Sequence, residues 1–245
     1  MNRGIYSTTL GMSALQRGLD VTANNLANAS TNGFKRDGLI FQDTLKREMY
    51  ANGGFGQSVG VIGAGAQAVE EFTVRDLGTI STTNNPLDMA ITVPQGMFAI
   101  KAGNEIHYTR DGAFALDSER QLVNKAGMPV LDKNGDEITI PAGTVQVENG
   151  GRILVNGAQV AEVGVFELNA NSKFEKLGEN LYRATNGAKP LDESLIAASS
   201  IESSNVNTVE SMLDMIKIGR LFELSQKNIQ SQDELLQRLI SSLNE

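Results

Sequence analysis

The segment "VTANNLANASTNGFKRD" (residues 21–37) combines helical apolar spacing with four asparagines, Asn24, Asn25, Asn28 and Asn32. Each asparagine costs a helix interior about 0.6 kcal/mol relative to alanine, because its amide competes for backbone partners. Asn25, Asn28 and Asn32 fall at positions i, i+3 and i+7, which share one face of a helix. We therefore expect these amides to contact neighbouring chains and to fix the register of an assembly.

The end of this segment predicts where the helix stops. Gly33 suits the left-handed position that follows a helix, and Phe34 can fold back onto the last turn. Lys35 and Arg36 place positive charge where the helix dipole is negative. These signals predict an N-terminal helical segment within residues 1–35.

Seven-residue spacing of apolar side chains marks both ends of the chain, over residues 5–29 and 208–243. Such spacing is typical of helices that pack side by side. The N-terminal columns are Ile5, Met12, Leu19 and Leu26, and Thr8, Leu15, Thr22 and Ala29. The C-terminal columns are Met215, Phe222, Ile229, Leu236 and Leu243, and a weaker set of Met212, Gly219, Gln226, Asp233 and Ile240. We expect the helices of 1–35 and 205–245 to pair in a coiled-coil manner; two amphipathic helices lying on a globular core are the alternative.

The middle of the chain predicts β-structure over residues 71–204. Runs such as "EITIPAGTVQV" (137–147) and "GRILVNGAQVAEVGVFEL" (151–168) alternate apolar and polar residues. Together with Asn-Gly turn signals, they predict antiparallel sheets or a small barrel. Residues 36–70 are rich in glycine and lack periodicity, which predicts an extended linker. The expected fold class is α+β.

The composition excludes several classes of function. The chain of 245 residues has 21 basic and 29 acidic residues and a net charge of −8, which argues against nucleic-acid binding. It has no cysteine and one histidine, His107, so thiolate metal sites and the common nucleophile–base arrangements are not available. Nothing in the sequence brings the carboxylates of Asp111 and Asp117 together in a cleft. We therefore predict no enzyme, no small-molecule substrate, no cofactor and no metal site.

Two motifs resemble ligand sites but are better explained as local structure. "VGVIGAGAQA" (59–68) has the spacing of a dinucleotide fingerprint, yet that site needs a helix after it, and β-branched residues follow. "DKNGDE" (132–137) resembles part of a calcium loop but has Gly143 where a bidentate glutamate belongs. It predicts a turn. The first residues lack the pattern of a cleavable signal peptide, and no window approaches the ~18 consecutive apolar residues of a membrane span.

Several motifs together resemble one known family. "ANNLANASTNGFKRD" (23–37) is similar to the N-terminal signature of the bacterial flagellar rod and hook proteins, the axial proteins of the flagellum. "NNPLDMAI" (84–91), "YTRDGAF" (108–114) and "GENLY" (178–182) resemble landmarks of the family's middle domain, and residues 202–236 resemble its C-terminal helix. The motifs occur in the family's order from end to end.

The resemblance implies an inner helical layer made of both termini, an outer β-rich domain, and self-association into a tube with other rod and hook proteins. It also implies export by the flagellar type III apparatus without a cleavable signal peptide. The implied location is the basal-body rod in the periplasmic space.

Within the family, Arg220, Phe222 and Glu223 resemble the proximal rod (FlgF-type) branch, as does the short segment after the first helix. Residues 23–45 resemble the distal rod (FlgG-type) branch. We interpret the chain as a proximal rod subunit; the alternatives are a distal rod or hook-type subunit and, outside the flagellum, a secreted scaffold or adhesin module.

The residues expected at the assembly interface combine the helical seams, the asparagines and the inner boundaries of the two terminal segments. They are Leu15, Leu19, Asn24, Asn25, Leu26, Asn28, Asn32, Gly33, Phe34, Asn205, Val206, Asn207, Met215, Phe222, Ile229 and Leu236.

Overall fold

The computed structural model describes residues 3–43, 46–50, 58–63, 66–168, 173–191 and 195–243. The described residues form two compact units. The helical unit takes its residues from 1–27, 37–74 and 207–245, and the β unit takes its residues from 28–36 and 75–206.

Two long helices dominate the helical unit, α1 (Arg3–Ala27) and α2 (Thr208–Leu243). They lie side by side in antiparallel directions. A Cβ atom on Gly18 would lie 3.5 Å from Ile218 Cδ1, and one on Gly4 would lie 3.0 Å from Gln232 Oε1. These contacts pair the start of α1 with the later part of α2 and the later part of α1 with the first half of α2.

Asn207 begins α2. Its Oδ1 accepts hydrogen bonds from the backbone N–H groups of Val209 and Glu210, at 3.1 and 3.2 Å. These bonds satisfy donors that have no partner within a first helical turn. Glu210 also places a negative charge in that turn, where the helix dipole favours it.

Four strands complete the helical unit: β1 (Asp37–Asp43), β2 (Lys46–Tyr50), β3 (Ser58–Gly63) and β4 (Ala66–Thr73). β1 pairs with β4 and β2 pairs with β3, both antiparallel. The prediction of an extended linker over residues 36–70 was therefore wrong for the residues that the structure describes. Their backbone N–H and C=O groups form hydrogen bonds between paired strands. Strand β4 begins within the glycine-rich motif at 59–68 and continues to Thr73, so a strand lies where a dinucleotide site requires a helix, as the sequence predicted.

The β unit is built from short strands. They are β5 (Ile80–Thr82), β6 (Met89–Ile91), β7 (Met97–Ala102), β8 (Glu105–Thr109), β9 (Ala115–Leu116), β10 (Leu122–Val123), β11 (Val145–Val147), β12 (Arg152–Val155), β13 (Ala158–Glu162), β14 (Val165–Leu168), β15 (Phe174–Gly178), β16 (Leu181–Ala184), β17 (Ala188–Pro190), β18 (Ile196–Ala198) and β19 (Ser200–Glu202). The largest sheet has the order β15-β16-β8-β7-β14-β17, and β11, β12 and β13 form a second sheet. All strand pairs in these two sheets are antiparallel, which confirms the predicted α+β class.

Strand β7 shows how the core of the β unit is organised. Phe98 and Ile100 belong to one buried cluster, and Met97 and Ala99 belong to another. Alternate side chains of a strand point to opposite faces, so β7 is covered on both sides. This burial explains its run of four apolar residues.

Asn-Gly pairs form turns where the sequence predicts them. Asn156 and Gly157 have φ values of 53° and 85° and join β12 to β13, as a two-residue hairpin turn requires. In "DKNGDE", Asp132 Oδ1 accepts from the backbone N–H of Asn134 at 2.7 Å and of Asp136 at 2.9 Å. That carboxylate organises a turn.

Candidate assembly surfaces

The predicted seam of α1 lies partly buried within the helical unit. Leu15, Leu19 and Leu26 are half-buried, and the small residues Ala14 and Gly18 are buried beside them. The seam of α1 therefore already has neighbours within its own chain.

The seam of α2 differs in part from the prediction. Met215, Phe222 and Ile229 are half-buried, and Leu236 is just exposed. In the weaker column, Met212 and Ile240 are exposed and Gly219 is half-buried. Other half-buried positions beside the strong column are Ser211, Asp214, Ile218, Ser225 and Gln232.

The opposite side of α2 exposes a second apolar face. Val209, Leu213 and Ile216 follow the i, i+4, i+7 spacing of a single helix face and are 65%, 53% and 54% exposed. Leu224, Leu235 and Leu239 are also exposed, farther towards the C-terminus. Exposed apolar side chains that share one helix face are candidates for an interaction site.

The four asparagines of the opening segment have different surroundings in the structure. Helix α1 ends at Ala27, so the prediction that Asn25, Asn28 and Asn32 share one helix face was wrong. Asn28 Oδ1 accepts from Thr31 Oγ1 at 3.2 Å in the turn after α1. Asn32 contributes its carbonyl oxygen, which accepts from Asn180 Nδ2 at 2.8 Å.

Asn25 is buried near the end of α1 and bonds to the start of β1. Its Nδ2 donates to Asp37 O at 2.8 Å, and its Oδ1 accepts from Asp37 N at 2.9 Å. Asn24, its neighbour, is exposed. The structure thus gives Asn25 a role within the chain, and its predicted contact with another subunit stays a prediction.

Gly33 and Phe34 do not cap the helix as predicted. Gly33 has the expected left-handed φ of 66°, but it lies in the β unit, where a Cβ atom would approach the Arg110 carbonyl carbon to 2.4 Å. Phe34 is buried there, and Lys176 Nζ lies 4.4 Å from the centre of its ring. Glycine is therefore needed at position 33 for its conformation and for the close approach of the Arg110 backbone.

Lys35, predicted to complement a helix dipole, instead enters a buried ion cluster. Its Nζ lies 2.6 Å from Glu202 Oε1 and donates to Asp76 O at 2.7 Å. Arg110 Nε lies 2.6 Å from the other oxygen of Glu202, and the guanidinium also donates to the carbonyls of Gly96 and Ile91. The side chains of Lys35, Arg110 and Glu202 are at most 2% exposed.

Burial dominates the electrostatics of this cluster. It lowers the pKa of Lys35 from 10.5, and the hydrogen bond and the charge of Glu202 oppose that shift. The group of three carries two positive charges and one negative charge. Hydrogen bonds to Glu202 and to the carbonyls of Asp76, Gly96 and Ile91 offset part of the cost of burying these charges.

Asn205 ties the predicted boundary of the C-terminal segment to residues 34–36. Its Oδ1 accepts from Arg36 N at 2.8 Å, and its backbone N–H donates to Phe34 O at 3.3 Å. Val206 is half-buried, and Asn207 caps α2. The structure therefore brings Phe34 and Asn205 together, as members of the predicted set.

The side chains considered for catalysis have structural partners. Asp111 Oδ2 pairs with Lys125 Nζ at 3.1 Å, and Asp117 Oδ1 accepts from backbone N–H groups of its own turn. His107 Nε2 lies 3.4 Å from Glu105 Oε2. Within the described ranges there is no group of three or more metal-binding side chains, and no helix there is long and apolar enough to cross a membrane.

Sequence reasoning missed the ion cluster and the second face of α2. Arg110 and Glu202 each stand in a motif that was singled out, "YTRDGAF" and residues 202–236. No spacing rule connects them, because the contacts are made between distant parts of the chain. Val209, Leu213 and Ile216 lie outside the seven-residue columns, which therefore do not predict the second face.

Three family descriptions match parts of the chain. Residues 5–35 match "Flagella basal body rod protein", residues 90–155 match "Flagellar hook protein FlgE/F/G D1 domain", and residues 197–242 match "Flagellar basal body rod FlgEFG protein C-terminal". The matches cover both terminal segments and the central strands.

Curated relatives match nearly the whole chain. The flagellar basal-body rod protein FlgG of Buchnera aphidicola subsp. Schizaphis graminum is 33% identical over 260 residues, covering 96% of this chain and 97% of that protein. FlgG of Bacillus subtilis is 31% identical over 262 residues, covering 98% and 99%. The rod protein FlgF of Caulobacter vibrioides is 32% identical over 247 residues, covering 99% and 98%.

Proposed function

This chain belongs to the flagellar basal-body rod protein family, and from that premise we propose that it polymerises through its terminal helices into the axial drive shaft as a proximal rod subunit. The family is a structural one, whose members are components of the flagellar basal body. Membership implies assembly with other flagellar axial proteins. Export by the flagellar type III apparatus into the periplasmic part of the rod is part of the proposal.

The second apolar face of α2 is the observation that supports assembly through the helices. A helix that packs one side against α1 and still exposes Val209, Leu213 and Ile216 gains free energy when another surface covers them. The proposed inner layer consists of residues 1–35 and 205–245 paired in a coiled-coil manner. Residues 71–204 form the proposed outer domain.

Alignment length supports the proximal position. The match to FlgF extends over 247 residues and 99% of this chain, so it has few gaps. The match to FlgG of Buchnera aphidicola needs 260 residues to cover 96% of the chain. The chain thus lacks residues that this FlgG contains. The "GRLFE" run with Arg220, Phe222 and Glu223 points to the same branch.

Electron microscopy of purified basal bodies tests the proposal. The chain has no cysteine, so Asp136→Cys, in an exposed turn, accepts a single gold-maleimide label. We expect label on the proximal part of the rod. Label on the distal rod or the hook would refute the proximal assignment, and basal bodies without label would refute incorporation into the rod.

The surface itself is tested by Leu213→Ser with Ile216→Ser. We expect this variant to be exported and to keep the melting temperature of the β unit, but to lose incorporation into the rod. Ser211→Ala, a half-buried position on the other side of α2, is the matched control. Normal rod yield from the double variant would show that this face is not used.

A further inference from the structure

Three places where the chain passes between its two units adjoin one buried cluster. The crossings lie at residues 36–37, 74–75 and 206–207. Inside the β unit, the segments next to these crossings are residues 33–36, 76–79 and 202–205. Lys35, Arg110 and Glu202, hereafter the exit clamp, connect them.

The carboxylate of Glu202 is the centre of the exit clamp. It accepts from Lys35 Nζ and Arg110 Nε, each at 2.6 Å, and from the backbone N–H of Gly78 at 2.8 Å. Lys35 Nζ donates in addition to Asp76 O at 2.7 Å. Each of the three segments therefore makes a bond with a buried ionic side chain.

Backbone contacts extend the same connections. Gly33 N donates to Glu202 O at 2.7 Å, and Ser203 N donates to Thr79 O at 2.9 Å. Asn205 bonds to two segments at once, through Arg36 N at 2.8 Å and Asp76 O at 3.1 Å. Segment 202–205 is thus joined to each of the other two segments by bonds outside the ion cluster, whereas segments 33–36 and 76–79 are joined through Lys35.

We infer that Lys35 and Glu202 are positioning residues, which fix the three chain exits of the β unit relative to one another. The chain crossings are the covalent connections of the β unit to the rest of the chain, so force carried along the chain passes through these segments. The remaining crossing lies between residues 27 and 28, at the start of segment 28–36, which contains Lys35. If the segments at which the chain leaves the β unit are held rigidly relative to one another, torque passes between the β unit and the chain with little movement of these segments.

The ionic character of the exit clamp supports a positioning role. Well-packed apolar residues stabilise a core as well as a buried ion cluster does. Charged groups add short, directional bonds to backbone atoms of separate segments. In this cluster those bonds reach the Asp76 carbonyl and the Gly78 amide, which apolar side chains cannot do.

Distance measurement between two exits tests the inference on the full chain. Because the chain has no cysteine, Arg36→Cys and Thr79→Cys, both at exposed positions, accept nitroxide labels whose separation is measured by pulsed electron resonance. The clamp variant is Lys35→Met with Glu202→Gln, which leaves the net charge of the cluster unchanged. The control is Lys101→Met with Glu137→Gln, which removes an exposed ion pair.

We expect the width of the distance distribution to at least double in the clamp variant and to stay unchanged in the control. The single variant Lys35→Arg, with Glu202 unchanged, keeps a positive charge at position 35, and we expect its distance distribution to be as narrow as that of the parent. An unchanged width in a folded clamp variant overturns the inference. If the clamp variant does not fold, Lys35→Met alone, which keeps the Glu202 bonds to Arg110 and Gly78, is measured in its place, and an unchanged width in that variant overturns the inference equally.

A second measurement, of swimming speed in cells that carry each variant, rests on the proposed function. We expect the clamp variant to assemble and to swim more slowly than the control. A broadened distribution with normal swimming would refute the mechanical consequence and leave the positioning role standing. The distance measurement does not depend on assembly, so failure of the two proposals is distinguishable.

Discussion

The amide of Asn25 forms a two-point contact with Asp37, donating to its carbonyl at 2.8 Å and accepting from its N–H at 2.9 Å. Only an amide side chain supplies a donor and an acceptor in this arrangement. The contact joins the last turn of α1 to the first residue of β1. The poor helix propensity of asparagine is therefore offset at this position by hydrogen bonds within the chain.

Asn25→Asp tests this contact, because a carboxylate keeps the acceptor and loses the donor. We expect the variant to destabilise the pairing of α1 with β1 by about 1–3 kcal/mol, since the Asp37 carbonyl is left without its partner. Hydrogen exchange at the Asp37 amide measures the effect as lost protection. Asn24→Asp, at an exposed position, carries the same charge near the end of the helix and should change protection little. Equal losses in the two variants would assign the effect to the charge alone.

The exposed Lys101–Glu137 pair predicts a specific pH dependence. The hydrogen bond and the charge of Lys101 lower the pKa of Glu137 from 4.5. A carboxyl group with a lowered pKa in the folded state stabilises that state above its unfolded pKa, and the contribution is lost as pH falls through the folded pKa. We therefore expect Lys101→Met to be less stable than the parent at pH 6, with the difference shrinking below pH 4.5.

Urea unfolding from pH 6 to pH 3 measures this difference. Lys227→Met, at an exposed position of α2, controls for the loss of a positive charge. A difference for Lys101→Met that is constant over the whole range would contradict the assignment to Glu137.

Amide exchange should place the boundary between rapidly and slowly exchanging residues inside the predicted helical segment 1–35, before Gly33. In the isolated monomer we expect α1 and α2 to exchange faster than the β unit, because α2 is largely exposed and isolated helices are marginal. The Gly33 amide, which donates to Glu202 O at 2.7 Å, should be protected together with the β unit. Both helices should become protected in the polymer. Strong protection of both helices in a verified monomer would contradict assembly-dependent ordering.

How far the sequence predicts this fold depends on the range of each contact. The Asn156–Gly157 hairpin turn and the alternation along β12 are local, and both were predicted correctly, whereas the burial of β13 does not alternate. The "NGFKRD" end of the opening segment shows the limit. A helix boundary was inferred there from neighbouring residues, whereas Phe34 and Lys35 are placed by contacts with Lys176 and Glu202, far along the chain.

The candidate interface, too, could be predicted from the sequence only where local spacing determines it. The half-buried positions Leu15, Leu19, Met215 and Phe222 follow from periodicity, which encodes a face without naming what covers it. The structure supplies α1 and α2 as each other's partners over part of that face. The exposed side of α2 does not follow from that periodicity, because Val209, Leu213 and Ile216 lie outside the seven-residue columns.

Leu26→Asp separates assembly from folding of the β unit. Leu26 is half-buried near the end of α1, in the helical unit, so a carboxylate placed there is either desolvated or forced outward. We expect the exported variant to fail to enter the rod and to give non-motile cells. Its β unit should melt at the parent temperature, since its buried clusters draw on residues 89–196 and 97–182. Calorimetry of the purified chain and rod yield from basal bodies measure the two effects, with Leu26→Met as the control that keeps volume and polarity. Normal assembly of Leu26→Asp would remove α1 from the proposed interface, and a lowered melting temperature of the β unit would show that the two units do not fold independently.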